Sequence, residues 1–131
     1  MHQLLWKRIY VPAQKSDGYR ILVDRLWPRG LSKEAAALDE WAKQIAPSTP
    51  LRQAFHRDEM TYDAFAASYQ KELNNNPDLP EFIALVKQHL KKENVTLLYG
   101  SKNPDNSDLP TLRLHVESAL GIQSALPLKW A

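Results

Sequence analysis

Short runs of large hydrophobic residues, separated by turn signals, predict a chain in which strands and helices alternate. Residues 4–10 alternate large and charged side chains before Pro12, which predicts a first strand. Residues 19–23 and 95–99 are almost continuous apolar runs, a pattern typical of parallel strands that are buried on both faces. Because a long stretch of helical pattern connects these two runs, we expect their strands to lie parallel in one sheet.

Apolar residues at helical spacing predict the elements that cover this sheet. Ser32 is expected to cap a short helix, and Leu38, Trp41 and Ile45 share one face at helical spacing. Further helices are predicted to begin at Thr49, at Thr61 and near Pro80, and a last helix carries Leu112, Val116 and Leu120.

These elements predict the fold class α/β, with a small, mostly parallel sheet of about three or more strands covered by helices. The length of 131 residues is that of one domain, which we place at residues 1–121. Residues 122–131 are expected to form a tail that is held by two apolar anchors, Leu126 and Trp130.

Composition excludes several classes of function. The chain has no cysteine, so disulfides, a thiolate nucleophile and cysteine-based metal centres are excluded, and a reducing cytoplasm is expected. Its four histidines show no metal-ligand spacing, so neither a metal nor a cofactor is predicted. No signal peptide is visible, and the apolar runs are far shorter than the ~20 residues of a membrane span. A membrane is therefore not expected as a partner.

Charge is spread unevenly along the chain, although the formal net charge is only +2. Residues 1–33 carry seven lysines and arginines against two aspartates, whereas the remaining residues carry ten basic and thirteen acidic side chains. A basic N-terminal third on an acidic body favours an anionic partner, and weak, non-specific nucleic acid binding is one such prediction. The alternative is a solvated surface strand with no partner.

Ligands of open α/β sheets bind beyond the carboxyl ends of the strands, which points to two loops of this chain. The loop after residues 19–23 offers Asp24, Arg25, Trp27, Arg29 and Lys33. The loop after residues 95–99 offers Tyr99, Ser101 and Lys102. One carboxylate, several cations and a hydroxyl suit a phosphate, a carboxylate or a nucleotide. If the site is catalytic, Asp24 is the expected general acid or base.

Each of these residues also has a structural alternative. Asp24 and Arg25 can bind loop amides and carbonyls, and Trp27 can fill a gap in the core. His56 is the second catalytic candidate, because it follows Phe55 at a predicted helix end and has Asp58 two residues on. Helix capping explains His56 equally well.

The block D-R-L-W-P-R-G at residues 24–30 resembles the signature of the YeaO-like family of bacterial proteins, part of domain of unknown function 488. The resemblance extends over nearly all of residues 5–120. It implies a small cytosolic α/β protein, brings no established activity, and favours a site around the signature block. The loop after residues 95–99 lacks the histidine that the family usually has there, and the segment after His56 also departs from the family pattern.

Two hypotheses follow from the sequence. The first is a site for a small anionic or nucleotide-like ligand at the signature loop. The second is a non-enzymatic module that binds nucleic acid or protein through its basic N-terminal third. Whether the protein is an enzyme, and whether it forms a homodimer, stay open at this point.

Overall fold

Four parallel strands, in the order β1-β4-β2-β3, form the centre of the fold in this computed structural model, which describes residues 2–131. The strands are β1 (Leu4–Arg8), β2 (Tyr19–Leu22), β3 (Glu40–Trp41) and β4 (Val95–Tyr99). The α-helices are α1 (Lys33–Ala36), α2 (Thr49–His56), α3 (Tyr62–Asn75), α4 (Asp78–Leu90) and α5 (Leu109–Ala119). The predicted α/β fold class and single domain are confirmed, and β2 and β4 are parallel neighbours as expected.

The two faces of the sheet are covered unequally. Side chains of β4 alternate, so that Val95, Leu97 and Tyr99 enter the main core under α2 to α5, whereas Leu98 enters a smaller cluster on the opposite face. The smaller cluster is covered by α1 and by the loops on either side of it. β4 is buried along its whole length, which explains why its sequence is nearly continuous in apolar residues.

A buried charged network fills the rest of the second face. Asp17 accepts hydrogen bonds from Lys7 Nζ at 2.9 Å and from Arg20 Nη1 at 2.6 Å, and all three side chains are almost fully buried. The remaining Arg20 nitrogens donate to the backbone oxygens of Ala36 and Ala37. Two of the seven cations in the basic N-terminal third are therefore internal.

The helical pattern predicted across residues 38–45 is wrong. Helix α1 ends at Ala37, whose φ of 49° lies in the left-handed region, and the chain then joins the sheet as β3. Backbone N–H groups of Asp39 and Ala42 donate to β2 at 2.9 and 2.8 Å. Hydrogen bonding to β2 satisfies these backbone groups. The stability gained in this way outweighs the weak preference for a helix that three apolar residues at helical spacing provide.

Two helix starts differ slightly from the prediction. Ser48, rather than Thr49, caps α2, because its side chain accepts a hydrogen bond from Leu51 N and Thr49 is already helical. α4 begins at Asp78, before Pro80. The predicted caps Ser32 and Thr61 are confirmed, and each accepts a hydrogen bond from the backbone three residues later. No helix within residues 2–131 combines the length and apolar character needed to cross a membrane.

The C-terminal tail lies along the outer edge of β1. Arg8 N donates to Ala131 O at 2.6 Å, and Ala131 N donates to Trp6 O at 3.4 Å. Trp130 packs edge-on against Trp6, with ring centroids 6.1 Å apart. Trp130 thus anchors the tail, whereas Leu126, the other predicted anchor, is 74% exposed.

Candidate functional site

A cavity of about 310 Å³ opens at the carboxyl ends of β2 and β4, between α2, α3 and the loop before α5. We call it the carboxyl-edge cavity. Its polar lining includes Asp24, Arg25, Arg52, His56, Ser101 and Asp108, and its apolar wall includes Leu26, Phe55 and Phe65. The two loops that the sequence singled out therefore converge here, since Asp24 and Arg25 come from one and Ser101 from the other.

Asp24 ties the ends of the two central strands together. One carboxyl oxygen accepts a hydrogen bond from Gly100 N at 2.8 Å, and a Cβ atom at Gly100 would lie only 3.1 Å from that oxygen. A side chain at position 100 would therefore crowd the Asp24 carboxyl group, whereas glycine leaves it in place. Burial raises the pKa of Asp24 to about 6, although the Gly100 hydrogen bond acts in the opposite direction.

Asp108 brings a second carboxyl group to the cavity. It occupies the cap position of α5, but its side chain makes no capping hydrogen bond, and Ser107 Oγ accepts from Leu109 N instead. Burial raises the pKa of Asp108 to about 7, and the nearby charge of Asp24 adds to the shift. Asp108 was not predicted as a site residue, because residues 100–110 show only the pattern of a polar loop.

The two arginines of the cavity differ in what they bind. Arg25 donates from Nε to Pro47 O at 2.9 Å and from Nη2 to Ala46 O at 3.2 Å, so it holds the chain entering α2. Arg52 Nε is buried without any hydrogen-bond partner, and Arg52 forms no salt bridge within residues 2–131. Arg52 was not predicted as a site residue, since only the placement of α2 brings it to the cavity.

His56 lines the cavity at the last residue of α2 and is exposed. Asp58, the carboxylate that the sequence suggested as its partner, is also exposed. No hydrogen bond or salt bridge joins the two side chains in the described part of the chain. The carboxyl groups in the cavity with His56 are those of Asp24 and Asp108.

Five predicted ligand residues do not line this cavity. The Trp27 ring packs in the smaller core cluster, and its indole N–H donates to Leu31 O at 2.7 Å. Trp27 therefore has the structural role that was given above as the alternative to ligand binding. Tyr99 is 1% exposed within the main core. Arg29, Lys33 and Lys102 are exposed on the surface outside the cavity. Residues 2–131 also contain no group of three side chains that is arranged to hold a metal ion.

Comparison with known proteins places the chain among bacterial relatives. It is 52% identical over 97 residues to the uncharacterized protein YeaO of Escherichia coli K12, covering 74% of this chain and 82% of that protein. It is 40% identical over 74 residues to the uncharacterized protein Rv3073c of Mycobacterium tuberculosis H37Rv, covering 56% of this chain and 63% of that protein. No solved structure matches the chain.

The family comparison covers almost the entire chain. Residues 3–127 match the family DUF488-N3i, described as the inactive DUF488-N3 subclade. This match and the similarity to YeaO agree with the resemblance carried by the signature block. The chain is therefore a YeaO-like member of the DUF488 family.

Proposed function

We propose that the carboxyl-edge cavity binds a small anionic or nucleotide-like ligand. The observation that carries this proposal is the Arg52 side chain, whose Nε is buried at the cavity without a partner. Leaving a buried polar donor unpaired destabilises a protein by about 1–3 kcal/mol, so such groups are uncommon unless something else uses them. An anion in the cavity would meet this guanidinium.

The other groups at the cavity suit the same ligand class. His56 and the Ser101 hydroxyl add hydrogen-bond donors to that of Arg52, and Phe55 offers an aromatic wall beside them. The volume of about 310 Å³ lies at the lower end of the range of ~300–1,000 Å³ that is usual for ligand sites. We infer a ligand between an amino acid and a mononucleotide in size.

A binding role without turnover is the form of this proposal that we favour. The family to which the chain belongs is described as inactive, which supports binding rather than catalysis. If turnover occurs nonetheless, Asp24 is the general acid or base that we propose, because its raised pKa suits proton transfer near neutral pH. The cysteine-free composition supports the cytoplasm as the proposed compartment.

Thermal melting with a ligand panel tests the proposal. Inorganic phosphate, glutamate and GMP are added separately to the wild type, Arg52→Gln and Arg29→Gln. We expect at least one compound to raise the melting temperature of the wild type and of Arg29→Gln, but not of Arg52→Gln. Arg29 is the matched control, since it is an arginine of the signature loop outside the cavity. The proposal fails if no compound stabilises the wild type, or if only the Arg29 variant loses the response.

The nucleic-acid alternative loses part of its basis in the structure. Lys7 and Arg20 are buried around Asp17 and cannot contact phosphates, and Arg25 holds the backbone before α2. Weak binding through the exposed cations stays a prediction, with a steep loss of affinity as salt concentration rises. A sequence-selective complex that resists salt would favour this alternative over the cavity.

A further inference from the structure

The carboxyl-edge cavity has a guanidinium group on one wall and carboxyl groups on the other. Arg52 comes from α2, whereas Asp24 follows β2 and Asp108 precedes α5. A compact anion such as inorganic phosphate would meet the guanidinium but would also lie near two carboxyl groups. Like charges in a partly desolvated site repel strongly, so this wall disfavours a ligand that is only an anion.

The carboxyl oxygens have acceptor capacity that the protein does not use. One oxygen of Asp24 accepts from Gly100 N, and no donor from the described residues reaches the other oxygen. No donor from another residue reaches the Asp108 side chain, and α5 does not use it as a cap. An ionised carboxylate is only an acceptor, and these oxygens are not shut off from the cavity, so they are open to N–H or O–H donors of a ligand.

On the basis of the proposed function, we propose that the ligand carries an N–H donor group beside its anionic group, and that Asp108 with Asp24 selects for this donor. Arg52 then binds the anionic end, and the two carboxyl groups accept from the amino end. The same chemistry occurs in an amino acid, which has an ammonium group, and in a nucleotide whose base has an exocyclic amino group. Asp108 is in this account a specificity-determining residue.

Calorimetric titration with matched ligand pairs tests this selection. Glutamate is compared with glutarate and GMP with IMP, because the members of each pair differ by one amino group. The titrations are done at pH 8, above the raised pKa values of both carboxyl groups. We expect the amino member of one pair to bind the wild type at least tenfold more tightly than its partner without the amino group. The pair that shows this difference tells whether the ligand is an amino acid or a nucleotide.

Two carboxyl-to-amide variants assign the selection to the cavity. In Asp108→Asn the preference for the amino compound should fall to within threefold, while the compound without the amino group binds as well or better. Asp58→Asn is the matched control, because Asp58 is exposed and does not line the cavity, and it should keep the wild-type preference. Asp24→Asn, which keeps an oxygen for Gly100, is the second variant and should also weaken the preference.

The outcomes separate this inference from the proposed function. If glutarate and IMP both bind as tightly as their amino partners and binding still needs Arg52, the cavity is a ligand site but the selection is wrong. The selection is also wrong if Asp108→Asn and Asp24→Asn both keep the full preference. If no member of either pair binds to the wild type, the inference fails, and the proposed function fails with it when inorganic phosphate also leaves the melting temperature unchanged.

Discussion

Arg25 and Arg52 line one cavity, but the protein uses only Arg25 to hold its own backbone. Arg25 donates to two carbonyl oxygens, at Ala46 and Pro47, and both of these residues are buried. Arg52 has a buried Nε with no partner. Arg25 is therefore tied to the fold by its guanidinium, whereas the Arg52 guanidinium makes no hydrogen bond within the described residues.

This difference predicts opposite effects of the same substitution. Arg25→Met should lower the free energy of unfolding by about 2–3 kcal/mol, because two charge-assisted hydrogen bonds to carbonyl oxygens are lost. Arg52→Met should leave it unchanged or raise it by about 1 kcal/mol, because the unpaired donor is removed. Urea unfolding measures both values. A larger loss in Arg52→Met than in Arg25→Met would show that Arg52 is structural.

Because of the two cavity carboxyl groups, we expect the free energy of unfolding to fall as the pH rises toward neutrality. Their pKa values are raised in the folded state, to about 6 for Asp24 and about 7 for Asp108, above the ~3.9 of an unfolded aspartate. The folded state therefore binds more protons than the unfolded state between about pH 4 and 7, and the free energy of unfolding decreases across that window. Each raised unit corresponds to at most about 1.4 kcal/mol.

Urea unfolding at pH 5 and pH 8 checks this sign. Wild type should be more stable at pH 5, and Asp108→Asn should show a smaller difference between the two conditions. Asp17 does not oppose the effect in this window, since its partners lower its pKa despite its burial and its contribution is lost only at more acidic pH. His115 acts in the opposite direction, because burial lowers its pKa. An Asp108→Asn variant with the same difference between pH 5 and pH 8 as wild type would contradict the assignment of the pair.

Only part of the site was predictable from the sequence, because side-chain direction and helix packing decide the rest. Asp24 and Ser101 were predictable because they follow buried strands, and the ends of parallel strands meet at one edge. Tyr99 follows the same strand pattern, but alternation along β4 turns its ring into the main core. Arg52 and Asp108 reach the cavity only through the packing of α2 and α5, which no local pattern in the sequence records.

At the scale of elements, hydrophobic periodicity predicted the long strands and helices well and failed on the shortest strand. β4 has five buried residues in a row and α3 has a regular apolar stripe, so each is recognisable alone. β3 has two residues and exists because its backbone pairs with β2. Its formation depends on a partner distant in sequence, so helical spacing across residues 38–45 was misleading.

The buried ion pairs of Asp17 with Lys7 and Arg20 predict a large loss of stability when Asp17 is replaced. Asp17→Asn removes the charge that pairs with Lys7 and Arg20, and leaves two buried cations without compensation. The free energy of unfolding should fall by about 3–5 kcal/mol. Urea unfolding measures it, with the exposed Asp63→Asn as a control that should change stability by about 0.5 kcal/mol or less. A loss below about 1 kcal/mol for Asp17→Asn would mean that the charge of Asp17 is not needed to keep Lys7 and Arg20 buried.

At the scale of the whole molecule, the tail joins the edge of the sheet to the rim of the cavity. Trp130 packs against Trp6 and Tyr99, and its indole N–H donates to Asp105 Oδ1 at 2.8 Å. Asp105 lies in the loop that continues to the cavity residue Asp108. The tail thus stabilises the far edge of the sheet and the loop before α5 together.

Trp130→Ala should therefore lower the free energy of unfolding by about 1–3 kcal/mol, and the melting temperature by several degrees. The loss arises from aromatic contacts and from the hydrogen bond to Asp105. Leu126→Ala is the control in the same tail, since Leu126 is 74% exposed and should have little effect. An unchanged melting temperature in Trp130→Ala would show that the tail does not contribute to the stability of the domain.

The most direct test of the carboxyl-edge cavity is an NMR titration of the ¹⁵N-labelled protein. The ligand is the compound of the thermal panel that stabilises wild type most, and the signals followed are the backbone amides and the arginine Nε–H groups. We expect shifts concentrated at Arg52 Nε, Ser101 and Ser107, with the surface residues Arg29 and Lys33 unchanged. Shifts confined to Arg29 and Lys33, with Arg52 unaffected, would rule out the cavity as the ligand site and move the site to the signature loop.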